Sequence, residues 1–198
     1  MRRFIVVGHD APTTPDFSLS DLAGGAGRLD VLCRCVAAAL LTSHGIREDA
    51  SVWLVLRDAV TVRFEGATVR NLAPDERTVA GLVRSALESA DRAVGAMWVE
   101  ASPGVFVAKL GFESALASAA EDGLVVQLHE DGTAVTELEE PASCTFVLSD
   151  HHDLAADEQA ALDAAADAAV RLGPTRLHAD QAIVVANHFL DTDGYAAI

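Results

Sequence analysis

The chain has 198 residues, a length suited to one well-buried domain and demanding no second. Hydrophobic residues make up 51% of it, yet no apolar run approaches the roughly 20 residues that span a bilayer, so a soluble protein with no membrane partner is expected. Thirty acidic residues against 14 basic ones give a formal charge of −16, which taken whole argues against a nucleic-acid partner. Three cysteines, Cys33, Cys35 and Cys144, are an odd number without a CxxC pair; buried thiols are expected rather than disulfides or a zinc site.

The distribution of charge qualifies that exclusion. Residues 1–100 hold 11 arginines against 13 acids, whereas residues 101–198 hold 3 basic residues against 17 acids, so the first half carries the usable cations. Lys109 is the only lysine, and arginine favours bidentate phosphate contacts and stacking on bases. An acidic, lysine-poor composition resembles that of proteins from salt-accumulating archaea, although a high genomic GC content also replaces Lys with Arg. In molar salt the Debye length falls to about 3 Å, which screens distant acidic repulsion and leaves close arginine contacts in weakened form.

In chain order, Met1-Arg2-Arg3 precedes only four apolar residues, too few for a signal-peptide core, so Phe4 to Val7 reads as a buried first strand of a cytoplasmic protein. The loop from Asp10 to Gly27 exceeds the length of a mere connection and holds Asp16, Asp21, Gly24 and Gly25, with Arg28 directly after it. Helical spacing predicts a helix from Asp30 to Gly45. Ser51 to Leu56 and Val60 to Phe64 predict an antiparallel hairpin, and Pro74-Asp75-Glu76 opens a helix running to about Ala90, with proline in its first turn. A second hairpin is expected from Ala96 to Glu100 and Val105 to Lys109, then a short helix from Phe112 to Ala120. Leu124 to Leu128 and Thr145 to Leu148 predict buried strands separated by a turn at Glu130-Asp131-Gly132. Ala155 to Leu172 predicts one Ala-rich helix, and Ala182 to Leu190 the last. This alternation defines an α/β fold with a largely parallel sheet.

Two segments could carry chemistry. Asp21 to Asp30 leads through Gly24, Gly25 and Gly27 into a helix, so its amides could receive an anion, with Arg28 and Arg34 adding charge; a structural glycine turn is the plainer alternative. It is neither a P-loop nor a dinucleotide fingerprint. Asp150-His151-His152-Asp153 directly follows a buried strand, at the sheet edge where ligands gather. A metal-dependent hydrolase using Asp150, His151 and His152 is one reading, but adjacent residues rarely all point inward, and loop histidines satisfied by solvent or backbone are the other.

Several longer matches are more specific. Asp16-Phe17-Ser18-Leu19-Ser20-Asp21-Leu22, Gly24-Gly25-Ala26-Gly27-Arg28-Leu29-Asp30-Val31, Arg34-Cys35 and Pro74-Asp75-Glu76-Arg77 resemble the N-terminal signature of the archaeal tRNA pseudouridine-54 N1-methyltransferases. Phe146-Val147-Leu148-Ser149-Asp150-His151, Leu172-Gly173-Pro174, Leu177-His178-Ala179-Asp180-Gln181 and Asn187-His188-Phe189-Leu190-Asp191 continue it in family order over nearly the whole chain.

The resemblance implies a single SPOUT-type domain over residues 1–198, its mostly parallel sheet flanked by helices and ending in a C-terminal trefoil knot. It implies an RNA-facing half (1–110) with hairpin insertions and a knotted half (111–198) that holds S-adenosylmethionine. A homodimer acting on tRNA, with no metal, is implied as well. On matching positions the donor pocket is Leu128, Ser149, the loop Arg171, Leu172, Gly173, Pro174 to Leu177, and Ala182. Asp21 is the candidate to orient or deprotonate N1 of the target base, and Arg28 and Arg34 the candidate phosphate contacts. The family has Gly where Ser149 stands and Cys where Ala182 stands, which tells against an essential thiol there. A non-catalytic knotted RNA-binding or scaffold protein is the alternative that the second departure permits.

Overall fold

The computed structural model describes residues 1–138 and 142–197. Thirteen elements alternate along the described chain: β1 (Arg2–Gly8), α1 (Leu29–Leu40), β2 (Ala50–Leu56), β3 (Val60–Glu65), α2 (Glu76–Glu88), β4 (Val99–Ser102), β5 (Val105–Ala108), α3 (Phe112–Asp122), β6 (Leu124–Ala134), β7 (Cys144–Ser149), α4 (Ala156–Ala165), β8 (Ala168–Arg171) and α5 (Ala179–Asp191). The strands form one sheet in the order β4-β5-β3-β2-β1-β7-β6-β8. From β2 to β8 every pairing is parallel, and β3, β5 and β4 extend the sheet antiparallel. The expected α/β class with a mostly parallel sheet is therefore the observed one.

Alternation along β1 and β2 sorts the core. Phe4, Val6, Val52, Leu54 and Phe64 turn to the face carrying α1 and α5, and Phe4 stacks on Phe146 with ring centroids 5.7 Å apart. Ile5, Val7, Trp53 and Val55 turn to the face carrying α3 and α4. Each fully buried aliphatic or aromatic side chain contributes about 1.5–3 kcal/mol, so both faces drive the sheet's formation. α5 is fastened to α1 by Asn187 Nδ2, which donates to the carbonyls of Ala38 (3.2 Å) and Ala39 (3.4 Å). Asp191, at its end, accepts from Arg2 (2.7 Å) and from both arms of Arg47 (2.7 and 2.6 Å).

The structure corrects five boundaries. α1 ends at Leu40, not Gly45, because Leu41 is extended and bridges Ile46. α2 begins one residue after Asp75, whose carboxylate caps it through Thr78 N–H at 2.8 Å; Pro74 lies outside the helix. Glu130 to Gly132 lie within β6 and do not end it, but the pairing with β8 shifts register between Leu128 and Thr133, and Gly132 is pressed against β8: an added Cβ would stand 2.6 Å from the Val170 nitrogen. The single helix expected from Ala155 to Leu172 is α4 followed by β8. Asp167 breaks it, donating its N–H to the Val125 carbonyl and accepting the Val125 N–H on its carboxylate, both at 2.9 Å, which aligns Ala168 to Arg171 with β6. The last helix starts at Ala179, earlier than expected, because the Gln181 side chain reaches back to the His178 amide.

Candidate functional site

Parallel strands bring their carboxyl ends to one edge, and there β7, β6 and β8 present Ser149, Leu128 and Arg171 side by side. The loop 172–178 crosses from β8 to α5 and forms one wall of a cleft of about 970 Å³. All eight positions expected to hold the donor, Leu128, Ser149, Arg171, Leu172, Gly173, Pro174, Leu177 and Ala182, line this cleft. Ala182 faces it from the inner side of α5 and is only 8% exposed. Two of the polar side chains serve the walls themselves: Ser149 Oγ donates to the His152 carbonyl, and Arg171 Nη1 donates to the carbonyl of Gly132 on β6, both at 2.5 Å. Arg176 closes one rim by pairing with Glu130 at 2.8 Å.

Below the cleft, the adjacent ends of β1 and β7 build a polar floor. The Asp150 side chain, 2% exposed, accepts the His9 N–H (2.9 Å) and the His152 N–H (2.8 Å) and lies 3.1 Å from His9 Nδ1. His9 Nε2 lies 2.8 Å from Glu158 of α4. Burial disfavours the His9 imidazolium, but the hydrogen bonds and negative charge of Glu158 and Asp150 outweigh it and raise its pKa above the ordinary histidine value. His9 and Glu158 did not enter the sequence reading. The signal that could have found His9 is the polar Gly8-His9-Asp10 at a strand's carboxyl end, whereas nothing in the sequence pairs it with a residue 149 positions away.

The glycine-bearing loop stands beside this floor. Gly27 has φ +53°, and an added Cβ would stand 1.8 Å from the Asp10 carbonyl oxygen, so only glycine lets the loop lie against β1's exit. Arg28 follows with φ 59°, a left-handed conformation costing a non-glycine residue about 1–2 kcal/mol. Its guanidinium grips Asp30 at 3.0 and 3.2 Å. Arg34 pairs with Asp30 (2.9 Å), with Glu76 (3.0 Å) and, across to α5, with Asp180 (3.5 Å). Burial opposes the Asp30 charge, but Arg28 and Arg34 outweigh it and hold its pKa below the usual carboxylate range. Both arginines thus stand together, about two-fifths exposed, already paired with acids on one side and open on the other. The first amides of α1 are partly engaged, since Leu29 N–H donates to Ala26 and Val31 N–H to Arg28, which leaves anion attraction mainly to the guanidinium groups.

Asp21 is exposed on the same loop and caps a turn by accepting the Gly24 N–H at 3.0 Å. Of the trio Asp150, His151 and His152, the structure separates Asp150, which is buried and turned to His9, from the two exposed histidines. Cys33 and Cys35 are buried, and burial pushes both thiols far up, consistent with inert packing residues.

An α/β sheet with a cleft at the carboxyl ends of its parallel strands, walled by a long loop and a C-terminal helix, is the class of open α/β protein whose ligands gather at that edge. Residues 1–195 match the family described as "Putative SAM-dependent RNA methyltransferase", and the chain belongs to that family. It is 60% identical over 99% of both chains to a Haloferax volcanii protein named tRNA (pseudouridine(54)-N(1))-methyltransferase. A Haloarcula marismortui protein of the same name is 55% identical over 98% of both chains, and one from Methanocella arvoryzae is 46% identical over 94% of this chain and 97% of its own. In fold it is similar to Archaeoglobus fulgidus Nep1, whose crystal structure holds S-adenosylhomocysteine, with a TM-score of 0.68 at 13% identity over 97% of this chain and 98% of that one.

Proposed function

We propose that this chain is an S-adenosylmethionine-dependent methyltransferase acting on N1 of pseudouridine 54 in tRNA. The observation that carries the reading is the single cleft at the ends of β7, β6 and β8 in which all eight expected donor positions meet. Relatives 60% and 55% identical over essentially their whole length bear the name of this activity. Leu128, Leu172 and Leu177 offer apolar surface for adenine, small Ala182 leaves room beside them, and the exposed 173–178 backbone supplies polar groups.

When bound, the donor supplies a sulfonium methyl that is electrophilic at carbon. The chain's own work is positioning: the loop 172–178 and α5 fix the donor end, and the Asp21–Arg34 segment fixes the RNA end. Holding the two reacting atoms in line at about 3–3.5 Å accounts for much of such a rate enhancement. A bound donor would supply the methyl that N1 takes, leaving as the thioether, and the N1 proton would pass to a base held by the chain. Asp21 is the residue assigned to orient that N–H or take its proton, and Arg28 and Arg34 present their open sides to phosphate.

Residues 1–198 are read as one domain, with residues 1–110 facing RNA and residues 111–198 holding the donor in a trefoil knot. The return of α5 over α1, after β8 has been laid outside β6, supports the knot. A homodimer is inferred, supported by Val184, 54% exposed on α5, and by Leu177, 38% exposed beside the cleft. Among the described residues no helix is long and apolar enough to cross a membrane. A tRNA substrate implies a cytoplasmic enzyme, and the charge of −16 suits a salt-rich cytoplasm. Nucleoside mass spectrometry of tRNA from cells lacking the protein tests substrate and reaction together. Loss of N1-methylpseudouridine is expected, and its full retention would overturn the assignment.

A further inference from the structure

We propose that Asp10, His151 and His152 form a binding site for one divalent transition-metal ion on the wall of the cleft. Asp10 lies more than 140 positions from the histidines. β1 and β7 are nevertheless adjacent parallel strands in the register Val7↔Ser149, so the residues that follow each strand emerge together. One ligand atom from each of the three side chains lies within 4.8 Å of the others, and His152 Nε2 is 3.1 Å from Asp10 Oδ2. Ligands bound at about 2.0–2.2 Å around a tetrahedral ion stand roughly 3.3 Å apart. The His152–Asp10 pair is already close to that spacing, and the exposed His151 ring has only to close in from within 4.8 Å of both.

Consecutive side chains ordinarily diverge, but here both rings turn the same way, with centroids 3.9 Å apart. The cause is built into the floor. Buried Asp150 accepts the His152 N–H, and Ser149 Oγ holds the His152 carbonyl, which folds the segment back on itself. Asp150 also stands 3.6 Å from His151 Nδ1, where it can take that N–H when the other ring nitrogen turns to an ion. A carboxylate behind a ligating imidazole is the usual orienting partner at such centres.

Two imidazoles and one carboxylate suit zinc, nickel or cobalt far better than magnesium or calcium, which prefer oxygen ligands. Three protein ligands leave a coordination position open. His151 and His152 both line the cleft, so that position faces it and fits an oxygen ligand, either water or a phosphate oxygen of bound RNA. The site stands on these residues alone and does not rest on the methyl-transfer reading.

The test is calorimetric titration of the full chain, freed of metal by dialysis against a chelator, with zinc chloride and with cobalt chloride; the visible absorption of cobalt serves as a second readout. One ion per chain at micromolar affinity is expected, with no comparable binding of magnesium. His152→Gln, His151→Gln and Asp10→Asn should each weaken binding at least tenfold, while His44→Gln, exposed elsewhere, should leave it unchanged. All three ligand positions are exposed, so circular dichroism is expected to show each variant folded. Absence of saturable binding, equal binding of magnesium, or wild-type affinity in the three variants would each overturn the site.

Discussion

The Arg34 guanidinium on α1 lies 3.5 Å from the Asp180 carboxylate in the first turn of α5, joining the helix behind the glycine loop to the helix that walls the cleft. The same guanidinium holds Asp30 and Glu76, so one side chain ties three helices together. Arg34→Ala should lower stability by about 1 kcal/mol, a figure discounted for screening because the side chain is 37% exposed. As an RNA contact it should also raise the KM for tRNA about tenfold and reduce the salt slope of binding by about one. A variant in which donor affinity collapses while the KM for tRNA is unmoved would make Arg34 a brace and nothing more.

Ala182 sits where the family pattern has cysteine. It is 8% exposed against the cleft, so a slightly larger neutral side chain fits there and a ring does not. Ala182→Cys should keep methyl transfer within about twofold of wild type, whereas Ala182→Phe should weaken donor binding at least tenfold, about 1.4 kcal/mol, and lower the melting temperature because the ring overpacks a buried position. Calorimetry with S-adenosylmethionine and a thermal melt separate these outcomes, and tight donor binding by the Phe variant would move the donor away from α5.

Asp21 accepts the Gly24 N–H, so replacing it by alanine removes both a carboxylate and a turn cap. Asp21→Ala should leave donor affinity unchanged and lower kcat about a hundredfold. Asp21→Asn keeps an acceptor for the turn but cannot take a proton. Activity retained by Asn and lost by Ala assigns an orienting role; activity lost in both assigns a base, and unchanged turnover in both removes Asp21 from the reaction.

Asp191 anchors the end of α5. Its burial disfavours the charge, but Arg47 and Arg2 outweigh that and hold its pKa below the ordinary carboxylate value. A depressed folded-state pKa contributes stability that is present above the unfolded value, about 3.9, and is lost as pH falls through the folded one. Asp191→Asn should therefore cost about 1 kcal/mol at pH 7, discounted because the carboxylate is about one-third exposed. The difference should diminish as pH falls below the unfolded value and vanish once it has passed the folded one, and it should shrink in molar salt. Urea midpoints for both proteins across this range would reveal a pH-independent gap if the ion pairs contribute nothing.

Strands rich in β-branched residues, such as Phe4 to Val7 and Ser51 to Leu56, were legible because their local preference and their burial agree. Ala168 to Arg171 were not, since Ala-Ala-Val-Arg continues an alanine-rich helical pattern. Pairing with β6, secured by Asp167 and by the missing side chain at Gly132, selects the strand. The donor positions were expected through family resemblance, and the fold brings all eight to one cleft. The floor was hidden because its partners meet only across strand ends: His9 with Asp150 and Glu158, and Asp10 with His152. Adjacency in sequence suggested Asp150 with the two histidines, and the fold exchanged Asp150 for Asp10.

The order of β7, β6 and β8 in the sheet has a consequence for biosynthesis. A nascent chain that has released β1 to β7 already possesses most of its sheet, yet two walls of the donor cleft, the loop 172–178 and α5, are still to be made. On the proposed site, a donor would therefore gain its full enclosure only once the loop 172–178 and α5 have been made. Its binding adds stability by mass action to the completed fold and none to a stalled or truncated chain. Occupancy of the proposed site would thus report that α5 has been made and packed.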